Sequence, residues 1–235
     1  MSGKRKSIKI PALVDGERLA VTDKEKADML GRTLAAVHSG EHLSDIHRQQ
    51  KQQLLAENEN VKEKRQDNRS ALDVEFTMSE LKIALQGTGY TAPGQDQLCY
   101  AMFRQLPMET MTMVLSLFNT IWREGDMPSL WKTAVVLPFN KPGKDTANPS
   151  NYRPIALTSH LCKWMEKIIV RRLSHVLEQK GLLSSFQSGF RKGRSTIDAL
   201  VRVSNDVEKT LKMKEIMAIV YFDIEKAYDC GGMGY

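Results

Sequence analysis

Asp223 stands at the end of the run Ile216-Met217-Ala218-Ile219-Val220-Tyr221-Phe222. Seven apolar residues in a row predict a buried strand. A carboxylate at the carboxyl end of such a strand is held rigidly while still reaching water or a cation. Taken alone, an aspartate there is an ordinary turn residue; the spacing Asp223-x-x-x-x-Tyr228-Asp229 sharpens the chemical reading. A second concentration of reactive groups lies upstream. Between Lys141 and Ser195 there are eleven Lys and Arg against three Asp and Glu, a net +8 in a chain whose total is +6. Such a block is the footprint of a polyanion partner. For its helical part, Lys163 to Arg172, a solvated charged face is an equally good account.

The remaining composition narrows the class. Hydrophobic residues make up 41% and charged residues 26% of 235 positions, as in a soluble globular protein. Cys99, Cys162 and Cys230 are odd in number, widely spaced and without a CxxC pair. They point to reduced thiols in an intracellular protein, cytoplasmic or nuclear, and away from a disulfide frame or zinc site. His38, His42 and His47 fit the surface of a helix better than a metal set, since no Cys or Glu completes a tetrahedron. No apolar run approaches the roughly 20 residues that cross a bilayer, so no membrane partner is expected. The opening MSGKRKSIKI lacks the apolar core of a secretory signal.

The elements that must position these groups can be read from punctuation and periodicity. Residues 1–70 are accessory: a small hairpin turns at Asp15-Gly16, and helices follow over Thr22 to Val37 and Ser44 to Arg65. Thr77-Met78-Ser79-Glu80 is a capping-box pattern that opens a short helix to Gln86. A Gly/Pro loop at 88–96 precedes a long helix from Pro107 to a stop at Gly125. Thr133 to Phe139 and Tyr152 to Thr158 read as paired strands, with Pro154 marking an edge. Helices then run from Ser159 to Lys180 and from Ser195 to Lys212. The architecture is α+β.

Four ordered motifs carry a resemblance. FDIEKAYD resembles the first catalytic motif of reverse transcriptases of the non-LTR, LINE-type retrotransposon family. TAPGQDQL resembles the family's APG-x-D loop. MPSLWKTAVVLPFNKPGKDTANPSNYRPIALTS resembles its P-x-x-W-K, K-P-G-K and Y-R-P-I string, and FQSGFRKGRSTIDAL its Q-x-G-F-R-x-G-x-S-T block. Together they cover about residues 77 to 230. The resemblance implies a right-hand polymerase: 1–70 a linker, and 71–235 a partial reverse transcriptase domain. Fingers would span about 71–214, and the first palm strand would begin near 215.

The resemblance also implies roles. Asp223 and the carbonyl of Ile224 would hold Mg²⁺, which prefers hard oxygen donors. Lys141, Lys144 and Arg153 would clamp the triphosphate of a deoxynucleotide. Tyr228 would lie beneath the incoming sugar and exclude a 2′-hydroxyl. Gln187, Arg191 and Arg194 would meet the nucleic-acid strands, an RNA template and a DNA primer. Two departures stand out. Gln95 and Gln97 replace the Pro and Gly common in the APG loop, and no aromatic-x-Asp-Asp follows Asp223. The chain alone is therefore expected to be inactive as a polymerase unless a second chain supplies the rest of the palm. Two other readings stay open at this level: a non-catalytic nucleic-acid-binding module kept for its basic block, and a relic without a stable fold.

Overall fold

Side chains that bond back to their own backbone set the helix starts in this chain. The computed structural model describes residues 9–38, 49–50, 52–53 and 72–223. Thr77 accepts from the Glu80 amide while the Glu80 carboxylate accepts from the Thr77 amide, and this capping box opens α2 (Met78–Leu85). Ser195 and Asp198 form the same reciprocal pair at the start of α6 (Thr196–Met213). α4 (Met108–Glu124) begins after Pro107 and ends at Gly125, whose φ of +72° gives the left-handed turn that closes it. Ser159 caps α5 (His160–Gln179). These four helices fall where the sequence places them, to within a residue or two. α3 (Tyr100–Phe103) is a single turn between them.

α2, α3, α4 and α5 converge on one apolar core. Trp164 is fully buried at its centre, with its indole donating to the Leu81 carbonyl at 2.8 Å. Its ring stacks on Phe103 at 5.2 Å and meets Phe118 edge-on at 5.7 Å. Asn119 grips the backbone of Phe76 from both sides, accepting from its amide at 2.6 Å and donating to its carbonyl at 3.1 Å. The segment leading into α2 is thereby tied to α4.

A second, smaller core lies at the amino-terminal end. β1 (Leu13–Asp15) and β2 (Arg18–Ala20) form the hairpin expected at Asp15-Gly16, followed by α1 (Asp23–His38). Leu13, Ala20, Met29 and Leu30 pack around Tyr152, which belongs to a distant strand. The helix expected over 44–65 lies almost wholly outside the described residues; its four described positions are helical.

β3 (Val135–Asn140) and β4 (Tyr152–Leu157) pair antiparallel in the register Asn140↔Tyr152, Phe139↔Arg153, Pro138↔Pro154. The two prolines face each other, and neither has an amide proton to offer. Lys141 N–H donates to the Asn151 carbonyl at 2.8 Å, so the ladder's bonds alternate around the proline pair rather than through it.

One expectation is overturned. The apolar run predicts a buried strand over 216–222; these residues form no strand, and Ile216, Tyr221 and Phe222 are almost fully exposed. A strand exists only when a neighbour takes up its N–H and C=O groups. The two sheets among the described residues are β1–β2 and β3–β4, and neither includes this run. No helix among the described residues is long and apolar enough to cross a membrane.

Candidate nucleotide and nucleic-acid interface

Alternation along β3 and β4 sorts the hairpin into two faces. Tyr152 lies on the face turned to the amino-terminal core, and Val136 and Pro138 line a cavity against α1. Phe139, Lys141 and Arg153 share the opposite face, with Arg153 directly across from Phe139 and exposed. Lys141-Pro142-Gly143-Lys144 then makes a tight turn, closed by the Lys144 amide on the Lys141 carbonyl at 3.2 Å. Gly143 has φ +72°, which the third position of a proline-led turn demands. The structure thus brings Lys141, Lys144 and Arg153 together at one end of one hairpin.

The loop beyond that turn is held in shape by hydrogen bonds to itself. Asp145 accepts from the Ala147 amide at 2.9 Å, its carbonyl accepts from Asn151 at 3.0 Å, and the Tyr152 hydroxyl donates to the Thr146 carbonyl at 2.7 Å. Lys141 Nζ donates to the Ser150 carbonyl at 3.3 Å, while Lys144 stays exposed. From outside the hairpin, the Val14 amide donates to the Ala147 carbonyl at 2.8 Å. The amino-terminal hairpin therefore braces the cationic loop. Sequence reading did not foresee this, since nothing local links Val14 to Ala147.

The second basic turn, Arg191-Lys192-Gly193-Arg194, repeats the design: the Arg194 amide meets the Arg191 carbonyl at 3.3 Å and Gly193 has φ +73°. Its two arginines have different fates. Arg191 forks onto Glu178, with Nε···Oε1 2.8 Å and Nη2···Oε2 2.6 Å, and Nη1 donates to the carbonyls of Ser184 and Gln187. Its side chain is 9% exposed, and hydrogen bonding from Arg191 holds the Glu178 carboxyl below its ordinary range. Arg194 is exposed, as is Gln187, whose side-chain amide donates to the Gly189 carbonyl at 3.4 Å. Phe186 and Phe190 project beside them, 79% and 97% exposed.

Behind both regions, the APG loop is locked to the start of α5. Gly94 is buried so tightly that a Cβ would lie 2.7–2.9 Å from the backbone of Thr158 and Ser159. His160, fully buried and stacked on Tyr100 at 4.4 Å, bridges the loop. Its Nδ1 donates to the Leu98 carbonyl at 3.0 Å, which leaves Nε2 to accept from the Thr91 hydroxyl at 2.9 Å.

Asp223 ends the described residues on the exposed, irregular segment. Ile224 and Tyr228 lie outside the described residues, so the proposed metal carbonyl and sugar-facing ring have no geometry here. Magnesium is held by one or two carboxylates together with substrate phosphates. Asp223 fits as one such donor, but no three metal-ligating side chains converge among the described residues.

Comparison with known proteins bears on the same segments. Residues 139–230 match the family described as "Reverse transcriptase (RNA-dependent DNA polymerase)". Over 138 residues the chain is 34% identical to "Probable RNA-directed DNA polymerase from transposon BS" of Drosophila melanogaster, covering 59% of this chain and 15% of that protein. Over 181 residues it is 29% identical to the corresponding X-element polymerase of the same fly, covering 74% and 20%. The chain carries a segment of a LINE-type reverse transcriptase. "RNA-directed DNA polymerase from mobile element jockey", also of Drosophila melanogaster, is 33% identical over 138 residues, 59% of this chain and 15% of that protein. The chain thus spans about a fifth or less of the length of these relatives. Within this reverse-transcriptase segment, the matched stretch holds both basic turns, Arg153 and Asp223. Reverse transcriptases as a family use divalent metal ions, a nucleic-acid template and nucleotide substrates.

Proposed function

We propose that this segment handles the incoming nucleotide and the template strand during RNA-templated DNA synthesis. Lys141, Lys144 and Arg153 hold the triphosphate of a deoxynucleoside triphosphate, and Arg153 offers the planar fork that suits phosphate oxygens. Gln187 and Arg194 contact the RNA template, and exposed Phe186 and Phe190 give unpaired bases a surface to stack on. Tyr228 sits beneath the sugar, and a DNA primer supplies the attacking hydroxyl. Asp223 and the Ile224 carbonyl are the donors this segment offers to Mg²⁺. When bound, that ion neutralises charge on the attacking and leaving oxygens. In this reading the chain's own side chains supply binding and alignment, and a rigid support makes alignment effective.

The observation that carries the reading is the gathering of three cations on a hairpin whose loop is braced from behind by Val14 and Tyr152. Titrating the full chain with a fluorescent deoxynucleoside triphosphate in magnesium tests it. Arg153→Ala and Lys144→Ala should each weaken binding tenfold or more, and Lys132→Ala, at the foot of the hairpin, should not. Equal affinity across all variants would overturn the assignment.

A further inference from the structure

α5 presents two kinds of cation. Arg172 is bonded into the core, whereas Lys163, Lys167 and Arg171 make no salt bridge among the described residues. Spaced four residues apart, these three form one stripe with a rise of roughly 6 Å between neighbours. They line a cleft of about 500 Å³ between α5 and the helices α2 and α3, together with Gln86 and Tyr100. Lys163 and Lys167 are half-buried, and Lys167 Nζ lies 4.8 Å from the Tyr100 ring centre. Glu166 is the acid in the cleft, and it accepts from the Cys162 thiol at 3.6 Å rather than pairing with a lysine. Nearby, Arg104 sits 5.9 Å from the ring centre of Tyr90, which is 93% exposed.

A lysine partly removed from water without a carboxylate partner is costly unless an anion arrives. Here burial, and then the charges of Arg171 and Arg104, push the Lys167 ammonium below its ordinary range. A basic track together with an exposed aromatic ring, here Tyr90 outside the cleft lining with Arg104 over one of its faces, is the composition that takes single-stranded nucleic acid without reading its sequence.

We infer that the α2–α3–α5 cleft is a second nucleic-acid site, in which Lys163, Lys167 and Arg171 track the phosphates of a single strand and Tyr90 stacks on a base. The site shares no residue with the hairpin or the 184–194 loop, so it stands whether or not the hairpin binds a triphosphate. It would hold a length of template or flanking RNA outside the nucleotide pocket.

The test is binding of the full chain to a fluorescent twelve-nucleotide oligouridine over a series of salt concentrations. Lys167→Gln/Arg171→Gln should weaken binding at least tenfold and lower the slope of log K against log salt by about 0.7 per cation removed. Tyr90→Ala should weaken binding while leaving the slope unchanged. Lys132→Ala, an exposed lysine paired with Asp126 and outside both sites, should leave this salt slope within error of the parent. Hydrogen-exchange protection on adding the oligonucleotide gives a readout independent of the variants. Protection over 84–104 and 163–171 supports the site; protection confined to 141–153 and 184–202 overturns it. Affinity within twofold of the parent for the double variant also overturns it, and equal affinity for single strand and duplex overturns the stacking role of Tyr90.

Discussion

Arg172 and Glu80, separated by 92 residues, meet in a two-bond fork: Nε···Oε1 2.6 Å and Nη2···Oε2 2.8 Å. The same carboxylate closes the Thr77 capping box, so one side chain both starts α2 and locks it to α5. The remaining guanidinium protons go to the carbonyls of Leu72, Val74 and Glu75, and the plane lies 4.7 Å from the Phe76 ring centre. Arg172 is therefore the clasp between the segment entering α2 and the long basic helix.

Arg172→Ala should lower unfolding free energy by about 3 kcal/mol, the range for removing one partner of a largely buried pair. Arg172→Lys should recover little, because an ammonium cannot fork onto a carboxylate while also reaching three carbonyls. Urea unfolding of the three proteins measures this. A loss below about 1 kcal/mol for the alanine variant would mean the fork behaves as a surface pair.

The fork also sets an acid limit. Hydrogen bonding from Arg172 takes the Glu80 carboxyl down to about 2 from an ordinary 4.5. Folded protein keeps the carboxylate charged where unfolded chain would protonate it, so the stabilisation is complete above pH 4.5 and is lost as pH falls towards 2. Its size is on the order of 2 kcal/mol, with solvent screening of a group 30% exposed allowed for. Glu80→Gln should flatten the pH dependence of the urea midpoint across that window.

His160 acts in a different window. Burial, and then the charge of Lys163, lower its proton affinity below the ordinary 6.5. Below pH 6.5 the unfolded chain takes up a proton that the folded chain refuses. Stability therefore falls as pH drops from 6.5 towards the folded value. His160→Gln should remove that slope, measured as melting temperature between pH 5 and 7.5, while leaving the Glu80 window in place.

Gly94→Ala should cost about 1–3 kcal/mol, because the added methyl meets backbone at 2.7–2.9 Å and cannot be accommodated by a rotamer change. Gly89→Ala, five residues earlier with open space around it, is the matched control. Thermal melts of both variants separate close packing from a general need for glycine in the loop.

Arg191 and Arg194 should separate stability from binding. Arg191→Ala leaves Glu178 without its partner and should lower the melting temperature by several degrees. Arg194→Ala should leave melting unchanged and weaken RNA binding, with a smaller salt slope. Asp223→Ala should leave RNA binding as it is. Filter binding at two salt concentrations, alongside melts, gives all three results.

Local chemistry made the helices legible. Capping boxes at Thr77 and Ser195 and the glycine stop at 125 act over three or four residues, so the amino-acid order alone determines them. The paired strands were readable for the same reason, and the ordered motifs sufficed to place the chain among LINE-type reverse transcriptases. The tertiary structure alone decided which cations are spent and which are free. Arg172 and Arg191 look no different in sequence from Arg171 and Arg194, yet partners 92 and 13 positions away consume the first pair. It also decided that Tyr152 closes a core with Leu13 and Leu30, and that 216–222 is not a strand. Those outcomes depend on groups brought together across the chain: an ion pair needs its counter-charge, and a strand needs a neighbouring strand to bond.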